Sequence, residues 1–545
     1  TDKGTVRLIL NNASISNTTT APIKVLDAKK VILTLADNTT NTITDSSRLS
    51  TEEDYSAAIY SKEDLIINGN GTLNVNAGYR NGIKSTDDCI IVSGTLNITS
   101  TEDGIIGKDL CGIVAGDINI NAGSDGIKST YDTDTTKGNV IIEGGNITIK
   151  ASNDGIQAEN ILVINDGTIN IKTNNGAADT TQTHIDNMDM GRGGFGFNNN
   201  KTTTTTDDTS ESRKGIKAGN MLIINDGDIT IDSDDDSVHC NSVIYIYGGT
   251  INAATGDDGV HADDLLTVNG GTINITQCYE GLEADDIVIN DGDISVVSSD
   301  DGINSSDGSI TINGGNLLIN ASGDGLDANG SIIINDGYIV VLGPTSDGDT
   351  AIDYDDSCTI NGGTVMAFGS SGMLEIPKGA SNGACIVTAF TSVSGGSKYT
   401  LSDSNGNEIL SYTPSKAYAA AIVYSDKITT GNTYNITAGS TTLSIEVTSD
   451  VTSNVSSGFG GAGGMNKHGN GGSGMPNNGS SDNGMNGNSN GSMPDMSGNG
   501  APDMNGNSSG DMPSMGGNSS NNGGNMPNMN NGSSNGSAPQ MNNRM

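Results

Sequence analysis

A hydrophobic turn punctuated by glycine recurs about every 22 residues, as DLIINGNGTLNVNA, NMLIINDGDITIDS, DLLTVNGGTINITQ and DIVINDGDISVVSS show when stacked. The marker glycines are Gly71, Gly94, Gly116, Gly145, Gly167, Gly227, Gly249, Gly271, Gly292, Gly315, Gly337 and Gly363, and most of their spacings are 21 to 23 residues (94 − 71 = 23, 292 − 271 = 21). A period of this length is the mark of a solenoid.

Three residues before most markers runs a β-branched column: Ile91, Ile113, Ile142, Ile164, Ile224, Ile246, Val268, Ile289, Ile312, Ile334 and Ile360. Pairs such as Leu73/Val75, Ile118/Ile120, Ile229/Ile231 and Ile273/Ile275 follow two and four residues after the marker. Their spacing of two puts both on one side of a strand. A third column, including Ile83, Ile105, Ile127, Ile156, Ile216, Val238 and Val260, follows the next turn. Three short strands per repeat predict an all-β fold, a right-handed parallel β-helix. Each coil adds about 4.8 Å along the axis, and its aliphatic interior stays dry only between neighbours.

Residues 1–61 read as less regular early coils, and 62–370 as the regular solenoid with a loop at about 176–213. Residues 371–450 read as an antiparallel β cap, and 451–545 as a Gly/Asn/Ser/Met-rich tail without enough apolar surface to order itself. The chain has no signal peptide at Thr1, so it is expected to be a mature or truncated secreted product. No run of 18 apolar residues predicts membrane insertion. A formal net charge of −40 excludes nucleic acid as a partner and favours cations or cation-bridged polymers. Cys89, Cys111 and Cys358 fall on core positions; Cys89 and Cys111 stack in adjacent coils, where a bridge has the reach but buried thiols are the expectation.

The second corner reads x-Asp-Gly-Ile and grows more acidic along the rod. It supplies Asp235, Asp236, Asp257, Asp258, Glu280, Asp300, Asp301 and Asp324, with Asp263 and Asp285 beyond the short strand. Aspartate suits turns by itself. Stacked carboxylates about 4.8 Å apart nonetheless repel by roughly 3 kcal/mol at an effective dielectric of 20, and basic partners are scarce here. Clustered hard oxygens predict Ca²⁺ as the cofactor. One residue past the third core column an outward ladder includes Lys128, Gln157, Lys217, His239, His261 and Glu283, the predicted carbohydrate-binding residues. A further face presents Asn74, Asn97, Asn119, Asn252 and Asn274, which either meet glycan hydroxyls or stack on one another.

The run AAIYSKEDLIINGNGTLNVNAGYRNGIKSTDDCIIVSGTLNITS, continued by SDGIKSTYDTDTTKGNVIIEGGNITIKASNDGIQAENILVINDGTINI, resembles the bacterial carbohydrate-binding β-helix family. That family is known from a clostridial cellulose- and polygalacturonate-binding surface protein with a pectate-lyase-like coil. The resemblance implies an extracellular, calcium-containing, non-catalytic binder of plant-type polysaccharide. Two departures stand out: the family carries more sequence before TVRLILNNASI, and Lys214 replaces the corner acid of neighbouring coils, which predicts that one cation position is missing. Two other readings compete. One is a calcium-dependent surface fibre or adhesin that self-associates end to end. The other is a pectate-lyase-type enzyme with Lys128 or Lys217 as the base.

Overall fold

The structure is a computed structural model that describes residues 4–47, 55–177 and 212–455. The expected loop at 176–213 lies almost wholly outside the described residues, as does the tail from 456 onward. The described chain is a β-solenoid of about 15 turns. Each regular turn carries a four-residue strand such as Met221–Ile224, a six-residue strand such as Asp228–Ser233 and a three-residue strand such as Val238–Cys240. Every strand pairs in parallel with its counterpart one coil away, so Ile224 lies beside Ile246 and Ile246 beside Val268.

The three predicted columns point inward. Ile91, Ile113, Ile142 and Ile164, the first column's start, are fully buried, as are Leu73, Val75, Ile229, Ile156 and Val238. They join one continuous core that runs from Leu10 to Tyr424. Burying each such side chain stabilises the rod by roughly 1.5–3 kcal/mol relative to exposure, which is why a coil needs neighbours on both sides.

The turns after the first strand use left-handed glycines such as Gly94 (φ 117°) and Gly227 (φ 115°), as the marker pattern requires. In the coil marked by Gly71 the left-handed residue is instead Gly69 (φ 102°). That turn is one residue longer: Ile67 aligns with Ile91 and Leu73 with Leu96, so the spacings are 73 − 67 = 6 and 96 − 91 = 5. A second glycine column, Gly82, Gly104, Gly126, Gly155 and Gly215, exists because coils approach closely there. A Cβ on Gly155 would stand 2.4 Å from Ile171 Cγ2 and 2.6 Å from the Gly215 carbonyl oxygen.

The solenoid begins earlier than its regular pattern. Thr5–Leu10 pairs with Lys30–Leu35, which pairs in turn with Asp64–Gly69. In two later coils the three-residue and four-residue strands fuse into Val260–Val268 and Leu282–Ile289, so the corner between two faces flattens. At the other end, Tyr418–Ser425 pairs antiparallel with Thr364–Gly369 and with Ala384–Val393. A four-stranded antiparallel sheet over a second core of Phe368, Tyr399, Tyr418 and Tyr434 completes this end. Val451–Ser453, at the start of the segment read as tail, is a strand paired with Cys385–Val387. All six cysteines are buried free thiols, Cys89 beside Cys111 included.

Candidate cation and glycan face

The corner aspartates do two jobs, one with each oxygen. Oδ1 accepts a hydrogen bond from the backbone N–H one coil on: Asp125 from Asp154 N (3.0 Å), Asp154 from Lys214 N (2.8 Å), Asp236 from Asp258 N (3.1 Å) and Asp258 from Glu280 N (3.1 Å). Asp301 accepts from Asp324 N at 2.5 Å, and Asp324 from Thr350 N. The acid thus satisfies an N–H at a buried corner where water does not reach. In Asp125, Asp236 and Asp258, Oδ2 faces the side chain three residues ahead, and that side chain belongs to the outward ladder.

The ladder is in register from coil to coil. Lys128 aligns with Gln157, Gln157 with Lys217, Lys217 with His239, His239 with His261, and His261 with Glu283. It continues through Asn304, Asp327 and Asp353. Its early half is neutralised locally: Lys128 Nζ lies 2.6 Å from Asp125 Oδ2. Its later half is not. Among the described residues no lysine or arginine pairs with Glu280, Glu283, Asp301, Asp324 or Asp327.

The later carboxyls respond as uncompensated acids do. Burial, then Glu283 and Asp258, pushes Glu280 up to about 9. Burial and Asp258 push Glu283 to about 8. Asp301 is driven to about 8 by burial, Asp300 and Asp327; Asp324 reaches about 8 mainly through burial. Asp257 also rises to about 8, through burial and Asp258.

Lys214 takes a cation's place. Its ammonium sits 2.9 Å from Asp235 Oδ1 and 2.5 Å from Asp236 Oδ2. Burial alone would raise Asp236, but Lys214 and His239 outweigh it and hold this acid well below the usual carboxylate range. The histidines stand edge to face, ring centroids 4.8 Å apart, with His261 Nδ1 3.4 Å from Asp258 Oδ2 and 3.3 Å from Glu283 Oε2. Burial would lower His261, but these acids raise it to about 10.

A family model described as carbohydrate-binding domain-containing protein matches residues 1–259 and 257–445. The chain belongs to this carbohydrate-binding domain family. A carbohydrate-binding domain-containing protein of Acetivibrio thermocellus is 39% identical over 95 residues, 17% of this chain. The aligned part is 33% of that relative, so the match spans about a third of its length. The solved structure of the polysaccharide lyase-like protein from C. thermocellum, a gadolinium derivative, is 36% identical and covers 31% of this chain and 70% of that chain, with a TM-score of 0.31.

In this carbohydrate-binding domain the predicted site residues divide into groups. Asp235, Asp236 and Asp257 bring oxygens within 4.8 Å of one another, as do Asp301, Asp324 and Asp327; Asp258 and Glu283 gather with His261, and Asp236 with His239 and His261. Asp263, Asp285, Asp300 and Glu280 fall outside these sets. Asp263 lies inside the fused strand Val260–Val268 and Asp285 inside Leu282–Ile289, and Ser306 Oγ donates to Asp285 Oδ1. Lys128 is committed to Asp125, while Lys217 Nζ donates to Ser212 Oγ at 3.1 Å and, among the described residues, forms no ion pair. On the six-residue strands the asparagines hydrogen-bond one another, Asn97 to Asn74 at 2.9 Å and Asn119 to Asn97 at 3.1 Å, so stacking uses part of their capacity.

Sequence reasoning missed two features. Asp64, Asp87 and Asp88 form a further acidic group early in the rod, signalled by the Asp-Asp of STDDC. Tyr245 and Tyr247 stack at 6.4 Å and 24°, with Tyr247 46% exposed. Tyr247 interrupts a run of corner asparagines, Asn165 and Asn225 before it and Asn269, Asn290 and Asn313 after it, and that break was the available signal.

Proposed function

We propose that this protein is an extracellular, non-catalytic binder of plant-type polysaccharide, cellulose or acidic pectin-like glycan, and that Ca²⁺ held in the later half of the ladder takes part in binding. The observation that carries this reading is the file Glu280, Asp301, Asp324 and Asp327, which no lysine or arginine among the described residues neutralises, along the in-register polar ladder. Buried carboxylates in a file demand protons or cations, and an oxygen-only set suits Ca²⁺, which takes six to eight oxygens at 2.3–2.6 Å. Asp301, Asp324 and Asp327 would hold it, with each Oδ1 of the first two already fixed by a backbone N–H. A bound cation turns a repulsive strip into one that attracts uronate carboxylates. Tyr247, exposed and stacked on the half-buried Tyr245, supplies an apolar surface for a sugar ring.

Membership of a carbohydrate-binding family supports the partner class. The ion pair of Lys128 with Asp125 counts against one of the two candidate bases for β-elimination, because a base must be free to take a proton; Lys217 is the other. The test is affinity electrophoresis in polygalacturonate and pull-down on insoluble cellulose. Retardation or retention in Ca²⁺, with no unsaturated product released, is expected. Free migration in both matrices would remove the reading.

A further inference from the structure

One step of the ladder has a donor set unlike the oxygen-only groups beyond it. His239 is 92% buried, and its ring is held from one side: Nε2 lies 2.8 Å from Asn241 Oδ1, an acceptor, so Nε2 carries the proton. In the neutral ring Nδ1 therefore presents a lone pair. Nδ1 is 2.8 Å from Asp236 Oδ2, a hydrogen-bonding distance, yet it makes no directed hydrogen bond and is left a buried nitrogen without a partner. So close an approach is favourable only while a proton or an ion lies between the two atoms, and an ion that displaces the proton takes both as ligands. Histidine ligands to metals are oriented in this way, with the far N–H given to an oxygen and the near nitrogen turned to the ion.

The next coil completes the group. His261 Nδ1 faces the same Asp236 Oδ2 at 3.7 Å, and the three donor atoms lie within 4.8 Å of one another. Ligands about 2.0–2.1 Å from a tetrahedral ion are separated by about 3.3 Å, a length that the 2.8 and 3.7 Å contacts bracket. We propose that His239 Nδ1, His261 Nδ1 and Asp236 Oδ2 bind one borderline divalent cation of the Zn²⁺ class between consecutive coils. Two imidazoles with a carboxylate favour such an ion over Ca²⁺, which takes oxygens. Lys214 shares Asp236 Oδ2, but it also holds Asp235 Oδ1 and keeps that partner when an ion arrives. Asp258 Oδ2 and Glu283 Oε2 lie 3.4 and 3.3 Å from the same His261 Nδ1, so both carboxylates stand beside the site and add negative potential. The site does not depend on the glycan reading.

Calorimetric titration of the metal-stripped full chain with Zn²⁺ tests this. The expected result is a site that weakens at least about 100-fold in His239→Gln and in His261→Gln, about 10-fold in Asn241→Ala, and not at all in Asp301→Asn. The chain's other histidines, His184 and His468, serve as controls, since their substitution should leave this site intact. Loading with Cu²⁺ and reading nitrogen superhyperfine splitting by EPR guards against misfolded variants: two ring nitrogens in the parent chain, one in either single variant. A chain that takes up no Zn²⁺, or one whose Zn²⁺ affinity or Cu²⁺ spectrum survives both histidine substitutions, overturns the proposal.

Discussion

Asp125 places one oxygen on the Asp154 N–H and the other on Lys128, so its two substitutions should separate two contributions. Asp125→Asn keeps an acceptor for the backbone and loses the ion pair with a partly exposed lysine, costing less than about 1 kcal/mol. Asp125→Ala strands a buried N–H as well and should cost about 1–3 kcal/mol more; urea unfolding measures both. Asp88 tests the opposite situation. Burial, with Asp64 and Asp87 nearby, raises it to about 6 from 3.8. Its folded value lies above its unfolded value, so the folded state binds the proton more tightly, and stability falls as pH climbs through the interval from 3.8 to about 6. Asp88→Asn should therefore stabilise the protein above that interval by about 1 kcal/mol, after allowing for solvent screening, and confer no gain below it. Melting curves across the interval check the sign.

Between coils, the second glycine column faces a large side chain from the six-residue strand: Gly155 meets Ile171, Gly215 meets Ile231 and Gly259 meets Ile275. Ser237 stands in that column, and its coil carries Ala253 where the neighbouring coils carry Ile231 and Ile275. Small and large residues have traded places across one layer of the core. Ala253→Ile alone should destabilise by about 1–3 kcal/mol through overpacking, and adding Ser237→Gly should recover most of it. A double-mutant cycle should return a coupling above about 1 kcal/mol; additive effects would show that the two positions do not share space. This exchange was hidden in the sequence because the two residues stand 16 positions apart (253 − 237 = 16) and only stacking makes them neighbours. The columns themselves were legible, since an apolar residue at every second position and a fixed period suffice to assign inward faces. The fused strands Val260–Val268 and Leu282–Ile289 were not, because the Asp-Asp pairs inside them read as turns.

At the scale of the whole molecule the net charge is −40, and acids on exposed turns are screened by water. The later ladder is different because its carboxyls are half-buried and in file. The sequence indicated that acids gather there, and even that Lys214 breaks the series. It did not indicate that each corner acid commits one oxygen to the next coil, because that needs the axial register of backbone against side chain. It also left the binding face undivided, whereas Lys128 proves committed to Asp125 and, among the described residues, no lysine or arginine pairs with Glu280, Asp301, Asp324 or Asp327. The measurement that reaches the central claim is calorimetric titration of an oligogalacturonide into the full chain, with Ca²⁺ and then with EGTA, repeated on Asp301→Asn/Asp327→Asn. The account predicts binding in Ca²⁺, its loss in EGTA, and at least about tenfold weaker binding in the double variant. Equal affinity under all three conditions would contradict it.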